Sequence, residues 1–283
     1  SIITGNSVLE ALNRKELTAL PIHVDHNIGE TLKSNPIDVA FLALHGTFGE
    51  DGCIQGLLEY FKISYTASGV MGSALAYDKL KSKEILKFHG IPTPDYEVFY
   101  KYHEISRTLD LPVVVKPTNQ GSSLGVTIVK DESKWKPALE TAFAYSEEVM
   151  VEKFIDGKLL AIGMNEMTPM PIIHIRPKSG FYDYEAKYTS GKTEYICPAD
   201  IEEDEADRCR QVAIQVFQVL RGRGFPRVDV ILDGKGTPQV LEMNTIPGMT
   251  PTSLLPMAAQ EMGMEFDDLV VEILKTAQLD YTK

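Results

Sequence analysis

Cysteine is scarce in this chain: its 283 residues include three, Cys53, Cys197 and Cys209. An odd number with no paired metal spacing argues against a disulfide framework and leaves reduced thiols without an assigned role. Long apolar runs are missing too, since no stretch approaches the ~20 residues of a membrane span. The N-terminus lacks the basic-then-apolar layout of a signal peptide, so a cytoplasmic protein with no membrane partner is expected. Positive charge is in deficit, with 28 Lys and Arg against 40 Asp and Glu and a formal net charge of −12. Such a field repels polyanions and removes nucleic acid from the expected partners. An anionic ligand must instead be held by locally placed lysines and backbone amides. Internal repeats and low-complexity tails are also absent.

What is present is an ordinary globular composition, 43% hydrophobic, in a chain long enough for two or three compact units of ~100 to 150 residues. The most informative run is residues 227–253, RVDVILDGKGTPQVLEMNTIPGMTPTS. Val228, Val230 and Leu232 alternate, Asp233-Gly234-Lys235-Gly236 turns, and Gln239 to Glu242 returns, which predicts a β-hairpin. Asp229 on the outgoing strand and Glu242 with Asn244 on the returning one bring three oxygen donors together. Hard donors so spaced suit Mg²⁺ carrying a nucleotide phosphate; the same acids also read as the solvated side of an ordinary hairpin. The tail N-T-I-P-G-M-T favours the first reading, because a Pro247-Gly248 turn exposes backbone N–H groups to an anionic transition state. Arg227, two residues before Asp229, shares its sheet face.

Residues 37–44 (IDVAFLAL) are an apolar run expected as a strand ending at His45-Gly46, with residues 55–60 as the next helix. A strand that stops at His-Gly before T-F-G-E-D-G presents groups at the carboxyl edge of an α/β sheet; His45 and Glu50 read equally as a buried turn pair. Residues 73–90 are expected as one helix whose lysines at 79, 81, 83 and 87 form mostly a solvated face, and Ile91-Pro92-Thr93-Pro94 breaks it. Strands at residues 111–116 and 126–129 flank T-N-Q-G-S-S-L-G, whose amides and hydroxyls suit a phosphate lid or a plain flexible loop. Lys116 just before the loop favours the lid. Residues 148–155 read as a further strand. Residues 181–188 (FYDYEAKY) fall in a long loop region between Lys178 and Cys197, a type more often functional than structureless, although three tyrosines also suit a half-buried strand. Amphipathic helices at residues 201–220 and near the C-terminus carry core positions and no assigned chemistry.

R-V-D, L-E-x-N-T-x-P-G-M-T and S-L-x-P resemble the C-terminal signature of D-alanine:D-alanine ligases, members of the ATP-grasp superfamily. The resemblance continues through A-L-H-G-x-x-G-E-D-G, A-x-D-K, V-V-K-P, G-S-S-x-G-V and F-Y-D-Y-E-A-K-Y, covering nearly the whole chain. It implies an α/β chain of ATP-grasp fold: an N-terminal open parallel sheet in residues 1–67, then two α+β units, 68–152 and 153–283, clamping ATP. It also implies ATP-dependent joining of two D-alanine molecules through an acyl phosphate, for peptidoglycan precursors, by a homodimer. Lys79 and Lys116 would contact phosphates, Lys116 on the α-phosphate side. Ser122 and Ser123 would belong to the loop closing over the γ-phosphate and substrate. Glu152 would accept from the adenine amino group, with Lys153 and the Phe154-Ile155 backbone beside it and Phe181 and Leu241 completing the nucleotide site. Lys187 would reach the terminal phosphate, and Tyr188 would close on the first amino acid. Asp229, Glu242 and Asn244 would hold two Mg²⁺ ions, with Mn²⁺ as a substitute. Arg227 and the Gly248 N–H would stabilise the tetrahedral oxyanion, His45 would orient substrate, and Ser253 with the Leu254 N–H would hold the second substrate's carboxylate.

The chain departs from the family pattern twice. The family opens with an earlier strand and a Glu that orients the first substrate, so an N-terminal unit truncated at its start is expected. After Gly157 the family has an acid that holds the ribose hydroxyls, where this chain has Leu159. A leucine accepts no hydrogen bond, which implies ATP binding weaker by ~1.5 to 3 kcal/mol. Two alternatives stand beside the main reading: a ligase of the same fold making D-alanyl-D-lactate or D-alanyl-D-serine, and a nucleotide-binding relative without turnover.

Overall fold

The computed structural model describes residues 1–121, 124–178 and 191–281. Helices α1 (Ile2–Arg14) and α2 (Ile28–Ser34) precede a parallel pair of two-residue strands, β1 (Val39–Ala40) and β2 (Ser64–Tyr65), joined by α3 (Cys53–Phe61). The apolar run of residues 37–44, expected as a strand throughout, pairs over Val39 and Ala40 alone. Its one hydrogen-bonded neighbour among the described residues is β2, and the Leu42 N–H, two residues past Ala40, donates to the Thr66 side chain at Oγ1, 2.9 Å away.

Residues 73–90 also differ from expectation, forming two helices, α4 (Val70–Tyr77) and α5 (Lys79–Phe88). Asp78 between them is extended, at φ −79 and ψ 102, and its carboxylate caps α5 by accepting the Lys81 N–H at 2.9 Å. The break starts α5 at Lys79, whose backbone N–H reaches the Thr118 carbonyl at 3.0 Å.

Next come β3 (Tyr96–Tyr100), β4 (Val113–Pro117), β5 (Thr127–Val129), α6 (Trp135–Phe143) and β6 (Glu148–Lys153). The strands form an antiparallel sheet in the order β3-β6-β4-β5. Strict alternation sorts its faces. Val113, Val115, Val149 and Val151 pack with Ala138, Leu139 and Ala142 of α6, whereas Val114, Lys116 and Glu152 face the other way, into a cavity.

The second sheet follows the order β11-β10-β7-β8-β9 and is built from β7 (Gly157–Asn165), β8 (Thr168–Pro177), β9 (Thr193–Ile196), β10 (Arg227–Asp233) and β11 (Pro238–Asn244). Strand β9 lies inside the region expected as loop up to Cys197; it pairs with β8 from His174↔Ile196 to Pro177↔Thr193. Leu160, Ile162, Val228, Val230 and Val240 pack against Cys209, Val212, Ala213 and Val216 of α7 (Glu203–Val219). The opposite face meets α8 (Leu254–Glu261) and α9 (Phe266–Lys275), with Val8, Ala11 and Leu12 of α1 in the same core.

Two local features aim the site. A Cβ on Gly157 would lie 2.2 Å from the Leu232 carbonyl oxygen, so only glycine lets β7 leave the crossing between the sheets this close to β10. The second is a bulge in β11: Asp229 pairs with Glu242 but Val230 pairs with Val240, leaving Leu241 as the extra residue. Continued regular pairing from Val230 and Val240 would have set Glu242 beside Val228 in the core; the bulge turns it to the side of Asp229.

Candidate active site

A cavity of about 310 Å³ opens between the two sheets, walled by β4 and β6 on one side and by β7, β10 and β11 on the other. Its middle is apolar, lined by Val114, Val126, Leu159, Ile231 and Leu241, which suits the faces of a flat ring. The segment Lys153 to Asp156, crossing between the sheets, closes one side. There the Phe154 N–H already donates to the Pro112 carbonyl at 3.1 Å, so the polar edge that segment offers a ligand comes from its other backbone groups.

The other end is charged. Lys79, at the start of α5, meets Glu242 at 3.1 Å and donates to the Gln120 carbonyl at 2.8 Å. Burial alone would lower its ammonium, but the Glu242 charge outweighs burial and raises it above the ordinary lysine value. On the facing wall Glu152 is buried between two lysines, Lys116 and Lys83, each at 2.6 Å. Burial would raise the Glu152 carboxyl, yet the Lys116 and Lys83 charges prevail and hold it below its usual range.

Asp229 and Glu242 are direct cross-strand neighbours, and two acids in that relation repel. The repulsion is offset from both sides. Arg227 grips Asp229 through two bonds, Nε to Oδ1 at 2.7 Å and Nη2 to Oδ2 at 2.8 Å, while Lys79 holds Glu242. Asn244 is opposite Arg227 in the ladder, and its Oδ1 accepts the Ile246 N–H at 3.1 Å. Among the described residues no group of three His, Cys, Asp or Glu gathers as a metal site. The available donor set is two adjacent carboxylates and an amide oxygen, all hard, which fits a small divalent cation better than a soft one.

Behind Arg227 stands the loop of His45 and Glu50. Glu50 accepts the Gly46 N–H at 2.6 Å; burial, helped by the Glu242 charge, pushes its carboxyl up to about 7. Burial pushes the His45 imidazole down to about 4, with the Arg227 charge acting the same way, and His45 Nε2 lies 3.2 Å from Thr4 Oγ1. Ser253 precedes α8, and its Oγ accepts the Thr250 N–H at 3.1 Å. A Cβ on Gly248 would sit 3.1 Å from that Oγ, so the Pro247-Gly248 turn lies directly on Ser253. The Leu254 N–H is one of the first-turn amides that a helix leaves without an internal partner, a natural seat for a carboxylate.

Residues 85–275 match the family described as D-ala D-ala ligase C-terminus, and residues 24–68 match D-ala D-ala ligase N-terminus. The chain belongs to the D-alanine–D-alanine ligase family. Relatives in it include the D-alanine–D-alanine ligase of Syntrophotalea carbinolica, 45% identical over 280 residues, 99% of this chain and 92% of that one. The ligase of Pelotomaculum thermopropionicum is 42% identical over 98% of this chain and 92% of its own length. The crystal structure of D-alanine–D-alanine ligase from Bacillus anthracis superposes with a TM-score of 0.88 at 36% identity, covering 97% of this chain and 91% of that one. The same enzyme complexed with ATP gives 0.85 at 35% identity, covering 97% and 90%. The mixed α/β architecture is therefore that of the ATP-grasp ligases.

Of the positions that the ligase resemblance singles out, Lys79, Lys116, Glu152, Lys153, Phe154, Ile155, Asp229, Leu241 and Glu242 line this cavity. Arg227 touches it through Asp229, whereas Asn244, His45, Gly248, Ser253 and Leu254 do not line it. Ser122, Ser123, Phe181, Lys187 and Tyr188 lie outside the described residues. One expectation about the ligase's lysines is corrected. Lys81 and Lys87 are exposed as the solvated-face reading requires, but Lys83 is wholly buried in its ion pair with Glu152. The available signal was its spacing of one turn from Lys79, which puts both on the same helix face.

Proposed function

We propose that this chain joins two D-alanine molecules into D-alanyl-D-alanine with ATP, supplying a peptidoglycan precursor. The γ-phosphoryl group passes to a carboxylate oxygen of the first D-alanine and ADP leaves. The amine of the second then attacks the acyl carbon, the C–O bond to phosphate breaks, and the nitrogen gives up a proton. One observation carries the reading: a single cavity has an apolar middle and, around it, Lys79 paired with Glu242, Asp229 gripped by Arg227, and Lys116 with Glu152 on the facing wall.

In this assignment the apolar middle holds adenine, Glu152 and the crossing segment read its edge, and Lys79 with Lys116 draws the phosphates into line. Positioning and charge dominate phosphoryl transfer, which is what fixed lysines provide. Asp229, Glu242 and Asn244 would hold magnesium, or manganese in its place. When bound, such an ion would supply positive charge to offset that of the phosphates. Arg227 and the Gly248 N–H would stabilise the oxyanion of the tetrahedral intermediate, and Ser253 with the Leu254 N–H would hold the second substrate's carboxylate. A homodimer and a cytoplasmic location complete the reading; in its favour, no helix among the described residues is long and apolar enough to cross a membrane.

The test is phosphate release from ATP and Mg²⁺ with and without D-alanine, with the product weighed by mass spectrometry. Release that requires D-alanine and matches dipeptide is expected. Release that tracks D-lactate or D-serine as second substrate would replace this reading with the corresponding variant ligase, and ATP binding without release would leave a nucleotide-binding relative.

A further inference from the structure

The buried lysine of α5 has no part in the chemistry above. Lys83 follows Lys79 by one helical turn and is 0% exposed. Its ammonium meets Glu152 Oε1 at 2.6 Å, while Lys116 meets Oε2 of the same carboxylate at 2.6 Å. Glu152 and Lys116 line the cavity and Lys83 does not. Lys83 also donates to Thr93 Oγ1 at 2.5 Å, and that hydroxyl donates to the Val240 carbonyl at 2.7 Å. Val240 answers with its own N–H to the Pro92 carbonyl at 2.8 Å. One ammonium thus ties the Glu152 wall of the four-stranded sheet to the β11 edge of the other sheet, next to Leu241 and Glu242.

Keeping a charge in such a place is costly unless it is paired, and a methionine of similar volume would often be as stable. What the ammonium supplies is a second cation for Glu152. With Lys83 in place, Lys116 is not the sole counter-charge of a buried carboxylate and can turn to an incoming phosphate. Without it, Lys116 is held back by the full attraction of Glu152. We propose that Lys83 is a positioning residue for the nucleotide, anchoring Glu152 between the two sheets so that Lys116 is released to the ATP phosphates. The proposal rests on the reading of this cavity as the ATP site.

The charged and titratable groups around Lys83 are Glu152 on β6, Lys116 on β4, Lys87 on its own helix, and Tyr96 on β3, whose ring centre is 5.8 Å from Nζ. Burial pushes the Lys83 ammonium down to about 8, with Lys116 and Lys87 adding to the effect and Glu152 opposing it. A polyanion nearby favours the protonated lysine. ATP therefore binds best below this range and more weakly as pH rises through it.

The experiment is calorimetric titration of the full chain with ATP and Mg²⁺ from about pH 7 to 9.5, for the wild type, Lys83→Met and Thr93→Val. The wild-type Kd should rise with an inflection near pH 8. Lys83→Met should bind ATP about 10-fold or more weakly at neutral pH, lose the inflection, and show the change in KM for ATP rather than in kcat. Thr93→Val keeps the charge and cuts the tie, so it should lose less affinity and keep the inflection. A wild-type Kd that stays flat across the range overturns the proposal without any variant having to fold. So does a folded Lys83→Met with wild-type affinity and an unchanged pH profile. No ATP binding by the wild type at any pH would instead overturn the nucleotide reading of the cavity.

Discussion

Replacing Arg227 with methionine separates what its charge does for the fold from what it does for the reaction. Asp229 and Glu242 face each other across an antiparallel ladder, where such side chains stand ~5 Å apart. Two carboxylates at that distance repel by about 3 kcal/mol at an effective dielectric of ~20. Arg227 offsets one of them through bonds of 2.7 and 2.8 Å, and Lys79 offsets the other at 3.1 Å. Arg227→Met leaves two acids and one cation, so stability should fall by ~2 to 3 kcal/mol, below the full cost of breaking a buried pair because neither side chain is completely enclosed. A divalent cation would restore the missing charge, so Mg²⁺ should raise the Tm of the variant more than that of the wild type. The kinetic loss should be of the oxyanion-donor size, ~10² to 10³ in kcat. ATP affinity should change less, because Arg227 is not a wall of the nucleotide cavity. Phosphate release, dipeptide yield and paired melting curves measure all three quantities. A folded Arg227→Met that turns over within about threefold of wild type would refute the oxyanion role, and equal Mg²⁺ gains in both proteins would refute the charge argument.

Leu159→Glu restores an acceptor on the β7 wall of the cavity, and its ATP Kd should fall by ~10-fold or more, the equivalent of ~1.5 kcal/mol or above for a charged bond; an unchanged Kd removes the ribose argument. Gly248→Ala places a methyl group 3.1 Å from Ser253 Oγ, and by shifting the neighbouring amide it should lower kcat by about 10-fold while leaving ATP binding alone, so parallel losses in both would count against the assignment. Glu50 has a folded pKa raised to about 7 against an ordinary 4.5. Its folded form thus keeps a proton that the unfolded chain has already lost, and its contribution declines as pH rises from about 4.5 to 7 and is flat above. That decline is about 3 kcal/mol in order of magnitude. His45, lowered to about 4, acts in the opposite direction between about 4 and 6.5, so the comparison is with Glu50→Gln. The variant should gain on the wild type as pH rises, and parallel stability curves for the two proteins would dismiss the argument.

Residue types and local pattern went far in this chain. The alternation of Val228, Val230 and Leu232 around Asp229 foretold the β10 face that packs on α7 and the opposite face that carries the acid. The same holds for Lys116, one step along β4 from the core residue Val115. Failures came where distant partners decide. Lys83 looked solvated because its partner Glu152 is far away in sequence and on another element. The strand expected at residues 37–44 shrank because a strand extends only as far as its neighbours do, and β2 offers two residues. The helix expected at residues 73–90 broke at Asp78 because a side-chain cap competes with continuing the helix. Nothing in the local pattern marked the bulge at Leu241, since it is a property of the ladder and not of the strand.

That bulge makes the returning arm of the hairpin separable into two devices. A regular strand cannot send consecutive side chains to one side, yet Leu241 and Glu242 both line the cavity. The ladder does not count Leu241: without it, Val240 would still oppose Val230 and Glu242 would still oppose Asp229, in an unbroken strand. The arm can therefore be regarded as an acid-bearing strand with one apolar residue spliced in. Contact with a ring and contact with a charge could have been acquired one at a time along the same strand, by a change in length rather than a change in fold.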